Sequence, residues 1–209
     1  MKTLPEHSKE NENKWDKRAK TYDHKRYDYF RLMQKKAIAR IGIKENISFL
    51  DLGCGTGWAV KYVSTLAKGN GEFWGIDISN GMIEKAKENT KDSEVVKFRC
   101  ANAEELPFNN DYFDAVLCTN SFHHYLNPST VLDEIFRILK LNGRFYLLDV
   151  TNDDFFVSRI NHLLQKKEKA HVSFYSSAEY KAMFTKSGLK YNQNKKLTYP
   201  LKLHIVEKC

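Results

Sequence analysis

The chain has 209 residues, 42% hydrophobic and 13% aromatic, enough to bury one sizeable core, so a single domain is expected. No stretch approaches the roughly 18 uninterrupted apolar residues of a membrane span, and the opening MKTLPEHSKENENKWDKR lacks the apolar centre of a signal peptide; a cytoplasmic protein is expected. The formal charge of +8 would suit an acidic partner, but runs such as DKRAKTYDHKR and QKKEKAH mix lysine with acid or histidine, as a solvated helix face does, which argues against nucleic acid.

In chain order, the first 45 residues are helical and amphipathic, with Trp15, Tyr22, Tyr27, Tyr29 and Phe30 among many charges. The segment EHSKENENK is too polar to pack, and residues 1 to about 30 are expected to form a lid that orders on ligand binding. Apolar runs then alternate with helical stretches. ISFLDL, EFWGIDI, VVKFRC, FDAVLCT and RFYLLDV read as buried parallel strands, and GWAVKYVSTLAK, SNGMIEKAKENTK and PSTVLDEIFRILK as crossover helices with one apolar face. The tail LKYNQNKKLTYPLKLHIVEK reads as two strands turning near Pro200, an antiparallel edge pair. The expected division is a lid over 1–45, a cofactor-binding core over 46–150, and a substrate-side insertion with the strand pair over 151–209. The cysteines Cys54, Cys100, Cys118 and Cys209 form no CxxC pair and are expected as free thiols.

DLGCGTGWAV places Gly53, Gly55 and Gly57 in the first strand-to-helix turn, where ligands of open α/β sheets bind. Without a Cβ, such residues let a ligand touch the backbone. The GxGxG spacing differs from the GxGxxG of a dinucleotide fold, and Asp51 just before it is unsuited to a pyrophosphate but favourable to an ammonium or sulfonium. Asp77 closes the second strand, where a carboxylate can accept from both hydroxyls of a ribose. Two acids at adjacent strand ends point to a nucleoside with a cationic tail.

FLDLGCGTG, GIDIS, ANAEELPF and FDAVLCTNSFHHYLNPSTVLDEIFRILKLNGRFYLLD, in this order and spacing, resemble the class I S-adenosylmethionine-dependent methyltransferases, most closely the small-molecule group with the ubiquinone/menaquinone-biosynthesis-like enzymes. The resemblance covers about residues 15 to 150. It implies a Rossmann-like, doubly wound α/β sheet of seven strands, mostly parallel with an antiparallel C-terminal strand, and S-adenosyl-L-methionine as cofactor. Carried over by position, it implies that Asp51, Gly53, Gly55 and Gly57 surround the methionine part, Asp77 holds the ribose, and Ile78 and Met82 sandwich the adenine. Where the family usually has Gly-Asp-Ala, this chain has Ala101-Asn102-Ala103; the Asn102 carbonyl oxygen can still accept from the adenine amino group, without charge assistance. Thr119 and Asn120 fall on the sulfonium side, and Tyr22 near the cofactor's carboxylate end.

Methyl transfer from a sulfonium leaves a neutral thioether, so positioning is the main demand. A proton-bearing acceptor also needs a base, and SFHHY sets His123 and His124 at the mouth of the crevice; the alternative is that one packs the loop while the other contacts substrate without taking a proton. The acceptor is expected to be a small molecule walled by the N-terminal helices and residues 151–180, with Trp15, Tyr22, Phe155, Phe156, Phe174 and Tyr175 as candidate walls. No NPPY-type tetrapeptide, GxSxG or HExxH occurs, and His7, His24, His162, His171 and His204 are dispersed, so no metal site is expected. Two other classes stay open: a cofactor-binding regulatory or RNA-associated module without turnover, and a nicotinamide-dependent oxidoreductase, against which the glycine spacing and Asp51 count.

Overall fold

The computed structural model describes residues 4–19, 21–22, 28–168 and 170–209. Helices α1 (Leu4–Ala19) and α2 (Asp28–Ile38) precede an alternation of β1 (Ile47–Leu52), α3 (Trp58–Leu66), β2 (Gly71–Asp77), α4 (Asn80–Asn89), β3 (Val96–Cys100) and β4 (Phe113–Thr119). A single 3-10 turn, Phe122–His124, leads to α5 (Pro128–Ile138), β5 (Leu139–Val150), α6 (Phe155–Lys167), α7 (Ser177–Lys186), β6 (Leu189–Thr198) and β7 (Leu201–Lys208). The seven strands form one sheet in the order β3-β2-β1-β4-β5-β7-β6. The first five run parallel, while β7 is antiparallel to both β5 and β6, as the resemblance implies. The tail is a strand pair, but β7 lies between β5 and β6, so β6 alone forms the edge.

The apolar runs of β1, β4 and β5 follow from burial on both faces, whereas β3, expected to be buried, is an edge strand and largely exposed. Successive side chains alternate, so Phe49 of β1, Leu117 of β4 and Tyr146 of β5 join one core with Met33, Ile38, Val60 and Val63 of α2 and α3. Leu50, Val116 and Phe145 join the opposite core with Val131, Leu132 and Ile135 of α5 and Tyr180 and Phe184 of α7. Caps set the helix starts: the Ser79 hydroxyl accepts from Met82 N, Asp154 accepts from Phe156 N and Val157 N, and Ser176 with Glu179 forms a capping box. Strand β5 starts five residues before the expected 144–150 run, because Leu139 already pairs with Phe113 before a register shift to Arg144 opposite Ala115. The Asn142-Gly143 turn in that shift, with Asn142 at φ 63°, hides the early start from the apolar pattern.

The N-terminal segment departs from expectation. His7 and Asn11 of α1 are buried although the surrounding sequence is polar. Their side-chain nitrogens lie 2.8 and 3.2 Å from the His124 carbonyl oxygen. Asp16 accepts from Gly81 N at 2.8 Å and from the Ser79 hydroxyl, placing a carboxylate at the N-terminus of α4. These hydrogen bonds dock the helix together with buried Ala19 and the Trp15 ring against His124. Tyr27 and His24, named above for this region, lie outside the described residues.

His204 is fully buried on β7, beside Tyr180 and Phe184, with Tyr191 Oη 2.9 Å from its Nδ1. Burial lowers its pKa to about 4. The unfolded histidine, with its ordinary pKa near 6.5, then takes up a proton that the folded one refuses, so stability falls as pH drops from 6.5 toward 4. The urea midpoint should fall across that window, and less steeply in His204→Phe. Equal slopes in the two proteins would contradict this assignment.

Candidate cofactor and acceptor site

The C-terminal ends of β1, β2 and β4 open into a cleft. Ile78, Met82, Ala101, Asn102 and Ala103 line one end, and Asp77 the middle. Gly53, Gly55, Tyr22, Thr119 and Asn120 line the other end, and these five also line a second, wider cavity whose wall includes His123, His171 and Phe174. Trp15 and His124 belong to both. An elongated ligand in the first cleft therefore meets the second at its glycine-loop end.

Asp77 is held by the backbone: Oδ2 accepts from Gly55 N at 2.9 Å and Oδ1 from Ser79 N at 3.0 Å. Burial nevertheless raises its pKa, with Asp16 adding to the rise. One carboxylate thus ties the glycine loop to β2 and keeps lone pairs for a ligand. Gly55 has φ +52°, and a Cβ built there would meet only Tyr22, at 3.8 Å, so any larger side chain grows into the cleft. At Gly53, with φ +73°, a Cβ would overlap the Ser121 side chain.

Two expected cofactor residues lie elsewhere. Gly57 does not line the cleft; a Cβ there would come within 2.7 Å of the Phe98 ring and 2.9 Å of Ala86, so helix packing requires this glycine. Asp51 also lies off the cleft wall. It is fully buried and neither carboxylate oxygen has a partner, so burial, with Asp77 nearby, pushes its pKa up to about 8. Asn102 is at the wall, with its Oδ1 accepting from Glu104 N at 3.1 Å, which fixes the amide in a local turn.

Of the aromatic wall candidates, Trp15, Tyr22 and Phe174 line the wider cavity. Phe155 and Phe156 do not: each is 73% exposed at the start of α6. Tyr175 packs against Phe122 and Tyr180 instead.

The two adjacent histidines have different environments. His123 Nδ1 lies 2.8 Å from Asp149 Oδ1, and its backbone N–H donates to Asp149 Oδ2 at 3.1 Å. The carboxylate can only accept, so the neutral ring carries its proton on Nδ1 and keeps a lone pair on Nε2. His124 is buried, with Nδ1 2.7 Å from Ala170 O and its ring edge-on to Trp15. Burial, then His123, hold its pKa well below 6.5, which keeps the ring neutral. Asp149, which the sequence reading passed over, is fully buried at the end of β5. Its signal was an acid at the end of an apolar strand, as at Asp51 and Asp77. His171, dispersed in sequence, comes back beside this pair, its ring centroid 5.5 Å from that of His123.

A seven-stranded sheet of this order, with a glycine loop and a ribose-type acid on adjacent strand ends, defines a Rossmann-like nucleoside-binding protein. Residues 50–147 match the methyltransferase domain family. The uncharacterized methyltransferase YcgJ of Bacillus subtilis is 33% identical over 156 residues, 73% of this chain and 60% of that protein. Its crystal structure superposes with a TM-score of 0.68 at 30% identity, covering 78% and 70% of the two chains. The ubiquinone/menaquinone biosynthesis C-methyltransferase UbiE of Proteus mirabilis is 34% identical over 122 residues, 57% of this chain and 49% of that one. The methyltransferase in a Haloferax volcanii complex with the Trm112 activator shares the fold over 93% of this chain and 97% of its own, with a TM-score of 0.80 at 24% identity. The chain belongs to the class I S-adenosylmethionine-dependent methyltransferases. It spans between about half and 60% of the length of these curated relatives.

The residues fit that family's cofactor. Gly55 leaves space a Cβ would fill, Asp77 is fixed with acceptor capacity, and Ile78 and Met82 line the same cleft.

Proposed function

We propose that the chain transfers the methyl group of S-adenosylmethionine to a small organic acceptor held in the wider cavity. The shared wall supports this reading: Gly53, Gly55, Tyr22, Thr119 and Asn120 border both cavities, so a cofactor with adenine at Met82 and ribose at Asp77 carries its sulfonium toward the acceptor. Bound there, S-adenosylmethionine supplies an electrophilic methyl group with a neutral thioether as leaving group. The chain's own task is alignment and proton removal. Asp77 and the loop fix one reactant, and Trp15, Phe174 and Tyr22 wall the other. His123, with its tautomer set by Asp149, takes the acceptor's proton on Nε2. The aromatic wall favours an acceptor with an apolar or planar body, and Lys14, Arg18 and Arg31 on the same cavity outnumber its acid Glu168, which pairs with Lys14, so an acidic substituent is favoured.

Replacing Asp77 by alanine should weaken S-adenosylhomocysteine binding by about 30- to 150-fold, or ~2–3 kcal/mol, because it removes a charged acceptor and frees the Gly55 N–H. Equal affinity in calorimetry would contradict the ribose assignment. The function itself is tested by S-adenosylhomocysteine formation with a panel of small aromatic and apolar acids. Acceptor-dependent turnover supports the reading. Cofactor binding without turnover on any acceptor, together with salt-sensitive RNA retention, favours a regulatory module.

A further inference from the structure

His123, His124 and His171 meet on one wall of the acceptor cavity. One nitrogen from each ring lies within 4.8 Å of one from each of the others. Hydrogen bonds fix all three tautomers. His123 donates from Nδ1 to Asp149, and His124 from Nδ1 to the Ala170 carbonyl. His171 Nε2 lies 2.8 Å from Asn161 Oδ1, which also accepts from Phe174 N and is thereby identified as the amide oxygen, so His171 donates as well. His123 Nε2, His124 Nε2 and His171 Nδ1 are left as lone-pair donors.

We infer that His123, His124 and His171 form a binding site for one divalent transition-metal ion of the zinc class, with its remaining coordination position open to the acceptor cavity.

Neutral imidazole suits this class, and three protein ligands with an open fourth position are typical of zinc sites that act on a bound molecule. The second shell is already in place: a carboxylate, a backbone carbonyl and a side-chain amide each hold the far nitrogen of one ligand, the arrangement that orients metal-binding histidines. Lys14 on the same cavity is paired with Glu168 at 3.1 Å, and the Asp149 carboxyl is buried beside His123. A tetrahedral ion with bonds of about 2.0–2.1 Å spaces its nitrogens about 3.3 Å apart, so the rings draw together on loading. Sequence spacing hid this site because His171 stands 47 positions after His124. Proton and ion compete for His123 Nε2, so the free base and the loaded site are alternative states of one cluster. The site depends on the proximity of the three rings and stands whatever acceptor is methylated.

Chelator-stripped protein titrated with Co²⁺ should bind one ion per chain, with the intense visible bands of tetrahedral coordination, and lose them on adding Zn²⁺. His171→Ala and His123→Ala should each weaken Co²⁺ binding by about 100-fold or more, and Asn161→Leu, which keeps all three ligands, by about 10- to 100-fold. S-adenosylhomocysteine affinity measured on the same samples reports whether each variant is folded. Should a variant fail to fold, the parent spectrum decides, because only the weak bands of octahedral aquo-cobalt, or no saturable binding below millimolar Co²⁺, would overturn the site. Undiminished affinity in folded His171→Ala would overturn it equally.

Discussion

Turnover in His123→Ala should be about 100-fold or more below the parent, while S-adenosylmethionine affinity stays within a factor of a few. The split follows from placement: His123 lines the acceptor cavity and is absent from the narrower cleft that holds Asp77, Met82 and Asn102. Asp149→Asn gives the sharper version. It preserves size, but an amide nitrogen facing Nδ1 favours the opposite tautomer and turns the lone pair away from the cavity, so a comparable loss is expected. The loss is the same whether a proton or a metal ion occupies Nε2, and the cobalt titration separates those cases. Rates near the parent's in both variants, on a verified acceptor, would leave His123 as a shape element only.

Gly55→Val should reduce cofactor affinity beyond calorimetric detection, a loss of at least about 100-fold. Two costs combine. At φ +52° a β-branched residue is strained in a region that L residues rarely occupy, and its methyl groups project into the space the ligand needs. The same backbone N–H donates to Asp77, so displacement of the loop would also loosen the ribose acceptor. Gly57→Val is the informative contrast: its Cβ meets Phe98 and Ala86, so it should destabilise the fold through overpacking. Normal cofactor binding by folded Gly55→Val would show that the loop does not cradle the ligand.

Those features encoded within a few residues of each other were legible in sequence. The turn DLGCGTG, the acid of GIDIS and the alternation of apolar strands with one-faced helices determine the sheet, its polarity and the nucleoside cleft at its C-terminal edge. Features made by distant pairing were hidden. Asp149 reaches His123 from 26 positions away, and His171 returns to the pair only because the segment after β5 folds back over the cavity, with Val172 N donating to His123 O at 2.9 Å. Polarity misled at α1, where His7 and the Asn11 amide nitrogen reach the His124 carbonyl oxygen and Asp16 accepts from Gly81 N. Hydrophobicity misled at Phe155 and Phe156, which begin a helix whose buried side is carried by Val157 and Asn161. For Gly57, the loop pattern is right but the constraint comes from Phe98 on a neighbouring strand.

Calorimetric titration of the parent protein with S-adenosylhomocysteine tests the cofactor assignment most directly. One saturable site per chain is expected, with affinity that falls about 30- to 150-fold in Asp77→Ala and is retained in His123→Ala. Absence of binding at millimolar ligand, or binding indifferent to Asp77, would contradict the placement of a nucleoside cofactor at the ends of β1 and β2.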